Sequence, residues 1–151
     1  MDIKKCMLIF VCFFIGCTSM KIWMPSYTFD ELIAQKNAID AAQNPAQGYM
    51  LLKELEKKRI VIKKAVVKEV VPATNIDYNF CVVATVEHSS GNIECQIHTR
   101  NWRNEEDIDC IAKLKPGDTI QVVGVFKRFL KLLGQQYVVE IVEANISKVK
   151  Q

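Results

Sequence analysis

The chain has 151 residues, half of them apolar, and sets 20 Lys and Arg against 17 Asp and Glu for a formal net charge of +3. That length is enough for one modest domain around a single core. So slight an excess of positive charge excludes a domain that advertises a phosphate-bearing partner by its field alone.

The chain opens on MDIKKCMLIFVCFFIGC: Lys4 and Lys5, then an apolar run from Cys6 to Ile15, then Gly16-Cys17. A secretory signal needs this basic start and an apolar stretch of about 7–15 residues. As a helix the stretch from Cys6 to Gly16 reaches roughly 16 Å at ~1.5 Å per residue, half of a hydrocarbon core of ~30 Å. It is too short to span. The segment resembles a bacterial lipoprotein signal peptide ending in the lipobox Phe14-Ile15-Gly16-Cys17. That resemblance implies cleavage between Gly16 and Cys17, acyl chains such as palmitate on Cys17, and an exported, membrane-anchored protein. The expected address is the outer membrane or periplasmic face of a Gram-negative cell, and the cell surface otherwise. Residues 1–16 are then the signal and 17–27 the lipidated cysteine and its tether.

Residues 28–58 read as a helical segment. Thr28-Phe29-Asp30-Glu31 has the form of a capping box, with Thr28 as N-cap and Glu31 reaching back. Phe29, Leu32, Ile33 and Ile39 recur at helical spacing. Asn44-Pro45 ends that helix and starts another, with Asn44 as N-cap and Pro45 in its first turn. Tyr49, Leu52 and Leu55 are expected inward, with Lys53, Glu54, Glu56 and Lys57 in water.

From Arg59 the period changes to two. The first strand runs from Arg59 to Val71, with a bulge expected at Lys63-Lys64 where alternation breaks. A second strand covers Tyr78 to His88, Ser89 to Asn92 turn the chain, and a third covers Ile93 to Arg100. That turn predicts Val86 opposite Cys95 and Ala84 opposite Ile97. Glu105 to Leu114 reads as a short helix with Ile108, Ile111 and Ala112 inward. After the turn Lys115-Pro116-Gly117-Asp118, a fourth strand runs from Thr119 to Arg128 with a bend at Gly124. A fifth runs from Gln136 to Ile146, and 148–151 is a tail.

Five strands with a helix between the third and fourth form the plan of an OB-fold, a Greek-key barrel. Residues 114 to 126, LKPGDTIQVVGVF, resemble the helix-to-strand junction of that fold. Residues 59–147 thus resemble the OB domains of the tRNA-anticodon-binding-like family. The fold class expected is mainly β with α.

OB-folds bind ligands on their second and third strands and in the flanking loops. The outward face of those strands is expected to show Cys81, Val83, Thr85 and Glu87, then Glu94, Gln96, His98 and Arg100. It carries no aromatic residue. A candidate ligand rim lies beside it: Tyr78, Arg100, Trp102, Arg103, Arg128, Phe129 and Tyr137. Against the rim stands a structural reading in which Phe129 and Tyr137 complete the core and Trp102 packs under the helix. The acids Glu105, Glu106, Asp107 and Asp109 suit the positive end of a helix. Ser89 and Ser90 lie beside His88, but in a hairpin turn, without an orienting acid or an oxyanion motif. Cys81, Cys95, Cys110, His88 and His98 form no C-x-x-C pair or metal-ligand spacing; buried free thiols are expected. No catalytic residue, metal or cofactor is predicted.

These features predict a lipid-anchored envelope protein whose OB barrel binds a protein, glycan or small-ligand partner, and not an enzyme. Two rivals stand beside it: a single-strand nucleic-acid binder at the membrane, and a purely structural envelope lipoprotein. Stacking aromatics and a basic groove would mark the first.

Overall fold

The computed structural model describes residues 25–73, 77–99, 105–131 and 137–149. The lipobox, Cys17, Arg100, Trp102 and Arg103 lie outside the described residues, as do the side chains of residues 105–107.

Helix α1 (Phe29–Asp40) begins where the capping box predicts. Thr28 Oγ1 accepts from the Glu31 backbone at 3.3 Å, and Glu31 Oε2 accepts from the Thr28 backbone at 2.7 Å. Two orphan donors of the first turn are thereby satisfied. Helix α2 (Pro45–Leu55) starts at the Asn44 cap, with Asn44 Oδ1 accepting from the Gln47 backbone. Leu55 is buried as expected, but Tyr49 is 57% exposed. The inward line of α2 runs through Gly48, Leu52 and Leu55, because a glycine lets α1 approach on that side. The tyrosine is turned outward.

Five strands close into a barrel: β2 (Arg59–Pro72), β3 (Phe80–His88), β4 (Gly91–Thr99), β5 (Thr119–Leu130) and β6 (Val138–Lys148). Their order is β2-β3-β4-β6-β5, with β2 pairing β5 to close the ring, and helix α3 (Glu105–Ala112) lies between β4 and β5 in sequence. This is the OB-fold plan. A sixth strand, β1 (Ser26–Thr28), pairs parallel to the start of β2, with Ser26 beside Arg59. Ser26 and Tyr27, expected in the tether, thus belong to the sheet; three residues carry no alternation by which pairing could be recognised.

Alternation places Ile60, Ile62, Val82, Cys95, Ile97, Ile120, Val122 and Ile141 in the barrel interior, each at most 1% exposed. The expected irregularity at Lys63-Lys64 is a register shift between Ile62 and Ala65 against β5. The β3–β4 hairpin is tighter than expected. His88 pairs with Gly91, so Val86 faces Ile93 and Ala84 faces Cys95. Gly91, at φ 116°, turns the chain within Ser89-Ser90 and adds itself and Asn92 to the strand. The displacement is even, so every side chain keeps its face.

The turn before β5 also docks on β2. Gly117 donates to the Val67 carbonyl, the Asp118 carbonyl accepts from Val67, and Asp118 Oδ2 accepts from the Lys115 backbone. Gly117 sits at φ 89°, a conformation that glycine adopts at no steric cost. On α3 only Ile111 of the three expected inward residues is buried; Ile108 is 37% exposed and Ala112 is exposed too. One short helix against a barrel offers its core a single narrow stripe.

Candidate binding face of the barrel

Pairing across the barrel sets Glu69 of β2 beside Val83 of β3, Val83 beside Gln96 of β4, Gln96 beside Glu140 of β6, and Glu140 beside Arg128 of β5. This row lies on the outer surface, since Val82, Ile97 and Ile141, the residues next to Val83, Gln96 and Glu140 along β3, β4 and β6, fill the interior, and a register shift between Phe126 and Arg128 turns Arg128 away from the buried Phe126. Arg128 Nε donates to Glu140 Oε2, and Glu140 Oε1 lies 3.3 Å from His98 Nε2. Arg128 keeps 59% of its side chain in solvent, whereas Glu140 keeps 12% and His98 8%.

The carboxylate thus joins one exposed cation to one buried imidazole. Burial pushes the His98 pKa down from its ordinary value; Glu140 opposes that shift and Arg128 adds to it. Both burial and Arg128 favour the neutral ring, and the Glu140 carboxylate facing Nε2 favours its proton there, which makes Nδ1 an acceptor; Nδ1 is buried with no hydrogen-bond partner among the described residues. Such an acceptor is costly to leave unmet. The ring of Tyr78 lies against His98, 5.5 Å between centroids.

Three residues expected to stand outward in solvent are buried: Cys81 at 5%, Val83 at 9% and His98 at 6% exposure. The pleat does put them on the outer face. However, each is flanked on that face, Cys81 by Val71 and Val83 by Glu69 of β2, and His98 by Tyr78 of the loop before β3. Burial pushes the Cys81 thiol up to about 11 and that of Cys95, on the interior face, up to about 12. Cys81, Cys95 and Cys110 are all free thiols.

The residues of the candidate rim separate. Tyr78 and Arg128 belong to the outer face just described. Phe129 and Tyr137 pack edge to face at the other side of their strands, 5.6 Å apart, with Phe129 also against Phe126. Lys36 of α1 lies over them, 4.7 Å from the Tyr137 ring and 5.6 Å from that of Phe129. These two aromatics join the helical segment to the barrel. Glu140 was missed in the sequence. Its signal is a lone acid inside the apolar run VVEIV, where a charge persists only with partners.

A second polar group occupies the β3–β4 hairpin. His88 Nδ1 lies 2.7 Å from Ser90 Oγ and accepts from the Ser90 backbone at 3.1 Å, while Asp30 Oδ1 stands 3.7 Å from Nε2. The composition is that of a nucleophile, base and acid. Yet the Nδ1 lone pair is already engaged by the turn's own N–H, and Asp30 is 85% exposed beyond hydrogen-bond reach. The arrangement shapes the hairpin and ties α1 to it.

No family model and no curated protein matches the chain in sequence. Among solved structures, a chain of the Stn1–Ten1 complex of S. pombe is similar over 62% of this chain and 59% of its own length, at 13% identity and a TM-score of 0.40. An OB domain from Methanosarcina mazei is similar over 64% of this chain and 76% of that one, at 16% identity and a TM-score of 0.37. The asparaginyl-tRNA synthetase of Entamoeba histolytica, with asparaginyl-adenylate, is similar over 64% of this chain and 22% of that one, at 11% identity and a TM-score of 0.35.

Proposed function

We propose that this chain is an exported lipoprotein, held by acyl chains on Cys17, whose OB barrel is a binding module for a peptide or glycan. The observation that carries the binding role is the unmet acceptor of His98 within the Arg128–Glu140–His98 group. A buried acceptor of this kind is suited to an amide N–H or a sugar hydroxyl, and Arg128 and Tyr78 flank it with a partly exposed cation and an aromatic surface. On the same face Glu94 pairs with Lys68 and Glu140 with Arg128, and Glu69 adds a further negative charge, so the face offers phosphates no excess of cations, which favours a neutral ligand over a nucleic acid. The anchor rests on the lipobox, and binding in place of catalysis on the way the hairpin histidine is already engaged.

A photo-crosslinking residue at Gln96, the half-buried neighbour of Glu140, tests the reading in intact cells. Adducts of peptide or glycan mass are expected, lost on His98→Phe in a chain whose folding is verified by circular dichroism. Retention of single-stranded oligonucleotides that falls steeply with salt, without such adducts, would overturn it. Intact mass beside a Cys17→Ala form tests the anchor: loss of residues 1–16 plus acyl mass is expected.

A further inference from the structure

Among the described residues, the large apolar side chains most exposed to solvent are neighbours on α2: Tyr49 at 57% and Met50 at 61%. At 3.6 residues per turn, Ala46, Tyr49, Met50 and Lys53 share one outward strip of this helix. Opposite it, Gly48, Leu52 and Leu55 face the protein. Lys53 Nζ lies 5.6 Å from the Tyr49 ring, and the chain continues through Lys57, Lys58 and Arg59. An apolar strip containing tyrosine with lysines beside it suits the boundary between headgroups and acyl chains. There the ring sits at headgroup level, and lysine stems lie along apolar surface with their charges in water.

Chain geometry puts this strip near the anchor. Ser26 pairs with Arg59, four positions past the end of α2 at Leu55, so the tether enters the fold beside that end of the helix. Ser26 follows Cys17 by nine positions. That length reaches at most ~30 Å when extended, at ~3.3–3.6 Å per residue. The eleven residues of α2 span only ~16 Å. An acylated Cys17 therefore keeps the whole helix within reach of the bilayer surface.

We infer that the outward strip of α2, Ala46, Tyr49, Met50 and Lys53, lies on the membrane that holds the chain, so that the barrel is seated at the lipid surface in one orientation. The inference rests on the lipoprotein reading. The lipid is an anionic bilayer, since Lys53, Lys57, Lys58 and Arg59 outnumber Glu54 and Glu56 around the strip.

The test uses the full chain, extracted from membranes and returned to vesicles of phosphatidylethanolamine with phosphatidylglycerol. In a chain that carries Cys110→Ser, a fluorophore is placed at Met50 through Met50→Cys, or at exposed Pro72, the far end of β2 from Arg59, through Pro72→Cys. Lipid-borne nitroxide is expected to quench the Met50 probe severalfold more than the Pro72 probe. Adding Tyr49→Ser should reduce that difference. Equal quenching in a chain whose intact mass shows acylated Cys17 overturns the seated orientation and leaves the anchor standing. An uncleaved, unacylated chain overturns both. Quenching of Met50 by a second labelled copy, without lipid nitroxide, would mark the strip as a protein interface and overturn the inference.

Discussion

Gly124→Ala probes the tightest strand contact in the barrel. A Cβ on Gly124 would stand 2.5 Å from Ile141 Cγ2, 3.0 Å from the Val142 carbonyl oxygen and 3.2 Å from Ala144 Cα. Carbon pairs settle near 3.5–4.0 Å, so the first contact is short by about 1 Å. Ile141 is wholly buried, and the other two contacts are backbone of β6. The helpful move is thus for β6 to withdraw. It cannot do so freely: Val123 pairs with Asn145 and Val125 with Val142, and Glu143, at φ 53°, bulges between those pairs. Overpacking of this kind costs about 1–3 kcal/mol. Gly124 is outside the positive-φ region that only glycine enjoys, so alanine recovers roughly 0.4–1 kcal/mol from the unfolded chain. A net loss of about 1–2 kcal/mol is expected, seen as a Tm lower by roughly 3–10 °C for a domain of this size. Urea unfolding of Gly124→Ala, Ile141→Ala and the double variant measures it. Since Ile141→Ala removes the offending Cγ2, the double should lose less than the sum of the singles. A Gly124→Ala domain within ~0.5 kcal/mol of the parent, or strictly additive losses, would refute this account of β6.

Removing the α1 cap with Thr28→Ala should cost about 1 kcal/mol in urea unfolding, while Thr28→Ser should cost much less. His98 gives stability a dependence on pH. Its folded pKa lies below the ordinary value near 6.5, so below that pH the unfolded chain takes up a proton that the folded chain refuses. Stability should fall as pH drops from about 6.5 to the folded pKa, by no more than ~1.4 kcal/mol per unit. Glu140→Gln should extend that fall to lower pH, because the Glu140 charge raises the His98 pKa. An NMR titration of the imidazole checks the shift, and an unchanged acid response in His98→Gln would assign the loss elsewhere. Alkylation under native conditions should modify half-buried Cys110 first, with Cys81 and Cys95 reacting only on unfolding. Peptide mass mapping after timed quenching reads the order.

The sequence alone determined what depends on near neighbours. Thr28 with Glu31, Asn44 with Gln47 behind Pro45, and Asp118 with Lys115 each complete a local hydrogen-bond pattern, so their positions mark helix starts and a turn before any fold is known. The period of two from Arg59 onward likewise marked the barrel strands and assigned the two faces of β3 and β4, and the element order pointed to an OB barrel. Tertiary structure decided what depends on which strands lie side by side. Glu140 meets Arg128 only because β6 pairs β5, and nears His98 only because β6 also lies along β4. Asp30 comes within 3.7 Å of His88, and Lys36 covers Phe129 and Tyr137, only because α1 packs against the barrel. The outer face is half buried because strands flank it on both sides. Alternation states which way a side chain points, but the depth to which it is covered comes from partners remote in sequence.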